Sequence, residues 1–155
     1  MVVNLVRFVL LMLLALLVGT MFGIWAGFNP ASLSASAYVE QQQNTIRSLN
    51  TLLPAMGAIC IFLTVLLAVL SKDDRRSRYL LGAAALLMVV AALVTRFANQ
   101  PINAVVMAWS AQSPAVNWSQ LRDEWWKWHI LRSLAGIAAL ALSVLAVLGT
   151  KRSSS

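Results

Sequence analysis

Apolar residues fall into four long runs, and polar residues gather in the joints between them. The first run covers about residues 5–27 and carries one charge, Arg7, at its start. The second covers 52–70 and is interrupted only by Pro54 and Thr64. The third covers about 79–98, with Thr95 and Arg96 near its end. The fourth begins at Trp118 and extends to about residue 149, but only the part after Ile130 is apolar enough for lipid. At about 1.5 Å of rise per residue, each run can cross a hydrocarbon core of about 30 Å. The fourth, at about 48 Å, overshoots it, so its first three turns are expected in the interface or above it. The pattern predicts an all-α fold: a four-helix transmembrane bundle forming one membrane domain over residues 1–155.

The joints refine this picture. Phe28, Asn29 and Pro30 end the first helix, because proline disfavours helix in the residue before it. A small-residue tract at 31–37 raises the question of a cleaved signal. The apolar run is longer than the roughly 7–15 residues of such a signal, so an uncleaved helix is expected. Gly19, Gly23 and Gly27 recur every four residues, a smooth face that a neighbouring helix or a second copy could approach. Residues 38–50 predict a short helix that, with the start of the fourth run, makes a small extracytoplasmic cap. Its Glu40, Gln43, Arg47 and Asn50 share a face that is either solvated or lines the mouth of the bundle. Pro54 falls in a first turn, where proline costs little. Residues 71–78 form a tight charged turn, and Asn117, with Gln120 three positions on, is an expected N-cap. Lys151, Arg152 and three serines are expected to fray.

Composition fits a membrane protein: 60% of residues are hydrophobic and 11% charged, with a mean hydropathy of +0.77. A soluble domain needs a polar skin that this chain lacks. The net charge of +7 is not laid out as a basic patch, so nucleic acid is not expected as a partner. It sets topology instead. Arg7, Lys72, Arg75, Arg76, Arg78, Lys151 and Arg152 fall on one side of four spans. Arg47, Arg96, Arg122, Lys127 and Arg132 fall on the other, over longer loops. The positive-inside rule then places both termini in the cytoplasm, in an inner or plasma membrane. The single cysteine, Cys60, forms no intrachain disulfide, and the single histidine excludes a multi-histidine iron or copper centre. No cofactor or metal is expected. A haem held by one ligand stays open, with no motif in its favour.

The stretch from Thr95 to Arg132 concentrates the chemistry. Arg122, Trp125, His129 and Arg132 follow one another at spacings of three, four and three, so they share a helical stripe. Trp118 and Trp126 flank it, while Trp109 and Trp128 suit an interfacial aromatic belt. Arginine at the hydrocarbon edge is costly unless it snorkels, pairs or faces a cavity. Arg96, Asn99 and Asn103 arrive at the same level from the third segment. Guanidinium groups beside aromatic faces suit a flat, anionic or electron-rich molecule. Imidazole titrates near neutral pH and is the natural base. His129, Arg122 and Arg132 are therefore the candidate catalytic residues. Arg96, Asn99, Asn103, Trp118, Trp125 and Trp126 are the candidate substrate-binding ones. The competing reading is a non-catalytic partner-binding or assembly protein that uses the glycine face.

The set Asn99-Gln100-Pro101-Ile102-Asn103, Trp109, Trp118, Arg122, Trp125-Trp126 and Trp128-His129-Ile130-Leu131-Arg132 resembles the signature of the DUF1772, anthrone oxygenase-like family of small four-helix membrane proteins. Gln43, Asn44, Arg47 and Asn50 resemble its upstream polar segment more loosely. The resemblance implies four transmembrane helices and a site around Asn99, Asn103, Arg122, His129 and Arg132. It also implies oxidation of anthrone-like molecules without a redox cofactor.

Overall fold

The computed structural model describes residues 2–149; Lys151, Arg152 and the serine tail lie outside the described residues. The elements in order are α1 (Val2–Gly27), a 3₁₀ turn (Pro30–Ser32), α2 (Ala35–Leu49), α3 (Leu52–Leu70), α4 (Arg75–Val94), a π-helical turn (Thr95–Asn99), α5 (Gln100–Met107) and α6 (Trp118–Leu148). Four helical stretches are long and apolar enough to cross a membrane: Val2–Ser32, Leu52–Leu70, Arg75–Met107 and Trp118–Leu148. The protein is an all-α bundle of four such rods.

The rods form a ring in which α1 packs on α3, α3 on α4, α4 on α6 and α6 back on α1. Their shared core joins Leu10, Leu14, Leu17, Val18 and Met21 of α1 to Leu53, Cys60 and Leu67 of α3, Leu81, Ala84 and Met88 of α4, and Ala139 and Ala146 of α6. Large apolar side chains such as Leu16, Phe62, Leu86 and Leu134 point outward, as expected where the surrounding solvent is hydrocarbon. The close approach is made by α6 rather than by the glycines of α1. A Cβ on Gly136 would lie 2.7 Å from Met21 Cε and 3.3 Å from Val18 Cγ2, whereas nothing comes within 4 Å of a Cβ at Gly19, Gly23 or Gly27.

Two helix ends differ from the sequence reading. The third span starts at Arg75, not Tyr79, because Asp74 caps it: its carboxylate accepts from Ser77 N at 3.1 Å and from Ser77 Oγ at 2.7 Å. At its other end the helix does not stop at Ala98. A π-helical turn, closed by Gln100 N–H to the Thr95 carbonyl, carries it into α5. Pro101 lies in the first turn of α5, where its missing N–H costs little. Asn99 and Asn103 are thus one helical turn apart rather than in a loop. Asn117 does precede α6, but its side chain makes no cap bond.

The cap is a second small core. Tyr38, Val39 and Ile46 of α2 meet Ile102 and Val106 of α5 and Trp125 of α6. Gln43 Nε2 fastens it by donating to the carbonyls of Val106 (3.0 Å) and Trp109 (2.9 Å), at the end of α5. Arg47 and Glu40 stay exposed.

Candidate functional site

The inner face of α6 carries His129 and Arg132 into the ring of helices. His129 is fully buried. One ring nitrogen, Nε2, lies 3.1 Å from the carbonyl of Met21 on α1. The other, Nδ1, is met by Arg132 Nε at 3.3 Å and Nη2 at 3.0 Å. A guanidinium can only donate, so Nδ1 is the unprotonated nitrogen, and Nε2–H donates to Met21 O. The imidazole is neutral and fixed in one tautomer. Trp125, one turn earlier, stacks on it with ring centroids 4.9 Å apart and planes 3° apart, and Trp126 lies 5.6 Å away.

Arg132 is the unusual group. It is 8% exposed, and its third contact is Nη1 to Thr95 Oγ1 at 3.2 Å. Of the five N–H groups of a guanidinium, two have no partner among the described residues. None of its contacts is a carboxylate. Among the described residues the one ion pair joins Arg122 to Asp123. A buried cation normally has a countercharge, because desolvation costs several kcal/mol otherwise. Arg132 forms part of the wall of two cavities. One, of about 310 Å³, lies among α1, α3, α4 and α6 and is walled by Leu14, Leu17, Met21, Gly57, Ile61 and Met88, with Thr95, Arg96, Gln100 and Arg132 at its polar end. Ala58 of α3 and Ala92 of α4, two of its exposed wall residues, mark where it opens sideways between those helices.

The second cavity is a pocket of about 30 Å³, room for about one water. Thr95, Arg132, Trp125, Asn50, Asn103 and Gln42 contribute to its wall. These amides form a network. Asn103 Oδ1 accepts from Trp125 Nε1 at 2.8 Å and from Gln42 Nε2 at 3.5 Å, while Asn103 Nδ2 donates to Asn50 Oδ1 at 2.8 Å. Asn99 is fully buried and donates to the Trp125 carbonyl at 3.1 Å; its Oδ1 has no partner.

Of the sequence-derived candidates, His129, Arg132, Trp125, Trp126, Asn99 and Asn103 therefore come together. Arg122 does not. It stands higher on α6, 4.8 Å over the Trp118 ring and paired with Asp123. Trp118 packs on Tyr38 in the cap. Arg96 is exposed, bonded to Gln100 at 3.3 Å, and lies at the rim of the larger cavity. Sequence reasoning passed over Gln42, which is buried on the inward face of α2 with Tyr38, Val39 and Ile46. Those three apolar neighbours at helical spacing were the available signal.

A family model described as anthrone oxygenase matches residues 43–142, well over half of the chain, including Asn99, Asn103, Trp125, His129 and Arg132. No curated protein and no solved structure matches.

Proposed function

Because the chain belongs to the anthrone oxygenase family, we propose that it is a membrane enzyme acting on a flat, hydrophobic phenol- or anthrone-like molecule drawn from the bilayer. The observation that carries this reading is Arg132, buried without a carboxylate at the end of an apolar cavity. Its two uncommitted N–H groups suit an oxyanion at the edge of an otherwise greasy ligand. A volume of about 310 Å³ lies at the small end of the range for ligand sites. The opening between Ala58 and Ala92 gives such a molecule a path from lipid.

His129 is not a free base while Arg132 occupies Nδ1. As the guanidinium turns to the substrate oxygen it releases that nitrogen, and His129 accepts a proton from the substrate's CH2 group, whose C–H electron pair passes to the oxygen as the enolate. Ion pairing with Arg132 and proton uptake by His129 are two halves of one exchange. The enolate so formed gives electrons to O2 at the carbon opposite its oxygen. A C–O bond forms, the second proton leaves that carbon, and the O–O bond breaks with loss of water. The balance is a CH2 group plus O2 giving C=O plus H2O; carbon is oxidised and O2 reduced. In this scheme Trp125 and Asn103 position the pair, and Arg122 takes no part.

Turnover of anthrone by the purified protein in lipid nanodiscs tests this. His129→Ala should lower kcat by about 100-fold or more, the usual contribution of a positioned base. Undiminished turnover removes His129 from the mechanism. On this reading the cap faces away from the cytoplasm and both termini lie inside, supported by the density of bases at 72–78. Labelling of Asp73→Cys by an impermeant thiol reagent added outside intact cells would reverse that orientation. A partner-binding reading draws on Gly19, Gly23 and Gly27, where no described group outside the local helix backbone lies within 4 Å of a Cβ position. It gains if Gly19→Leu breaks up a complex while His129→Ala has no phenotype.

A further inference from the structure

A second large cavity, about 340 Å³, lies beneath the cap, with Trp125 in its wall. Thr20, Gly23, Ile24, Phe28 and the 3₁₀ turn wall it on one side, and Tyr38, Gln41, Gln42 and Thr45 of α2 wall it on the other. The 30 Å³ pocket shares Ile24, Gln42, Thr45, Leu49 and Trp125 with this chamber and Leu53, Pro54, Thr95 and Arg132 with the apolar cavity. Two cavities of similar size thus flank a small polar pocket, each sharing part of its wall.

Their chemistry differs. Arg132 and Arg96 contribute to the lower chamber, and no ionised side chain contributes to the upper one. An anion there would find no countercharge. The hydroxyls of Thr20 and Thr45 already donate to Leu16 O (2.8 Å) and Gln41 O (2.9 Å). The donors that remain are the Gln41 amide and the second N–H of Gln42, both suited to a carbonyl oxygen. Trp125, Tyr38 and Phe28 supply flat aromatic surface for stacking.

We propose that the chamber under the cap is a second binding site, for a neutral, planar carbonyl compound of the quinone class. It rests on the reaction proposed above, whose product has that character: once the oxyanion is gone, Arg132 no longer favours the molecule. The two chambers then separate substrate from product by charge.

The test uses two glycines with room for a Cβ. Gly23 contributes to the upper chamber and Gly57 to the lower; a Cβ at Gly23 meets nothing within 4 Å, and one at Gly57 meets Leu17 Cδ2 at an ordinary 3.9 Å. Quenching of tryptophan fluorescence in nanodiscs reports binding of neutral 9,10-anthraquinone and anionic 9-anthracenecarboxylate. Gly23→Phe should weaken quinone binding about tenfold or more, and the carboxylate less than about twofold. Gly57→Phe should do the reverse. Gln42→Leu, at a residue outside the wall of the lower chamber, should also weaken the quinone. The proposal is overturned if the quinone binds unchanged in Gly23→Phe, or if the two probes compete for one site and Gly57→Phe removes both. If Gly57→Phe leaves carboxylate binding intact, the enzyme reading of the lower chamber fails instead, whatever the quinone does.

Discussion

The two ends of the bundle handle polar groups in opposite ways. At the 71–78 turn, charge is plentiful and wet: Arg75, Arg76 and Arg78 are exposed, and Asp74 is half-buried at a helix start. The buried polar group there, Ser77, is satisfied by Asp74 at 2.7 Å and by the Ala146 carbonyl at 2.9 Å. At the cap end polar groups are buried in number, cavities lie between them, and one of them is an arginine with no acid. The turn end closes its accounts within the chain. The cap end leaves a cation and several polar atoms open, which is what a site needs and a scaffold avoids.

The sharpest way to break this contrast is to remove one arginine from each end. Arg132→Leu should weaken 9-anthracenecarboxylate binding about 100-fold, the worth of a charge-assisted pair out of water. Arg78→Leu should change it less than about twofold. Melting should respond in the opposite sense to intuition, because losing a buried unpaired charge is often neutral or stabilising. A large fall in Tm for Arg132→Leu would mean that the guanidinium is there for structure. Equal binding losses for the two variants would mean that charge acts through the whole membrane field.

A smaller effect separates the buried networks. Asn103→Leu leaves the Trp125 indole N–H and Asn50 Oδ1 without their partners, and should cost about 3 kcal/mol of stability. Ser77→Ala at the turn end removes a buried hydroxyl that itself only donates, and should cost about 1 kcal/mol. Reversible unfolding in mixed micelles measures both. If the two costs are equal, the cap network is no more desolvated than the turn.

The bundle was legible because hydrocarbon imposes long apolar runs, and four of them stand out in the sequence. The His129–Arg132 pair was legible from spacing, since three residues on a helix share a face. The same stripe misled at Arg122: spacing gives the face but not the height. Near the start of α6 the guanidinium lies over Trp118 and pairs with Asp123 instead. The α2 segment was judged by its charged row of Glu40, Gln43, Arg47 and Asn50. The inward face is the one set by Tyr38, Val39 and Ile46, which brings Gln42 with it. The π-helical turn left no mark beyond Pro101, which reads as a stop when the sequence is taken alone. The Met21 carbonyl that fixes the His129 tautomer left none at all, because a backbone acceptor has no residue type.

The smallest prediction concerns the only titrating group at the turn end with a clear cause. Hydrogen bonds from the Ser77 side chain and backbone hold the Asp74 carboxyl below its ordinary value. A depressed folded-state value means that its contribution is complete above the ordinary carboxylate range and is lost as pH falls through the folded value. Asp74→Ser keeps a capping oxygen but removes the titration. Wild type should therefore melt higher than this variant by about 2 °C at pH 6, and the two curves should converge as pH is lowered below about 4. The buried side chains of Gln42, Asn99 and Asn103 are amides and do not titrate, so the cap end contributes nothing to that convergence through them. A difference that stays constant from pH 6 to about pH 3 would show that Asp74 acts as a hydrogen-bonding cap alone, and that its charge is irrelevant to how this end of the bundle is closed.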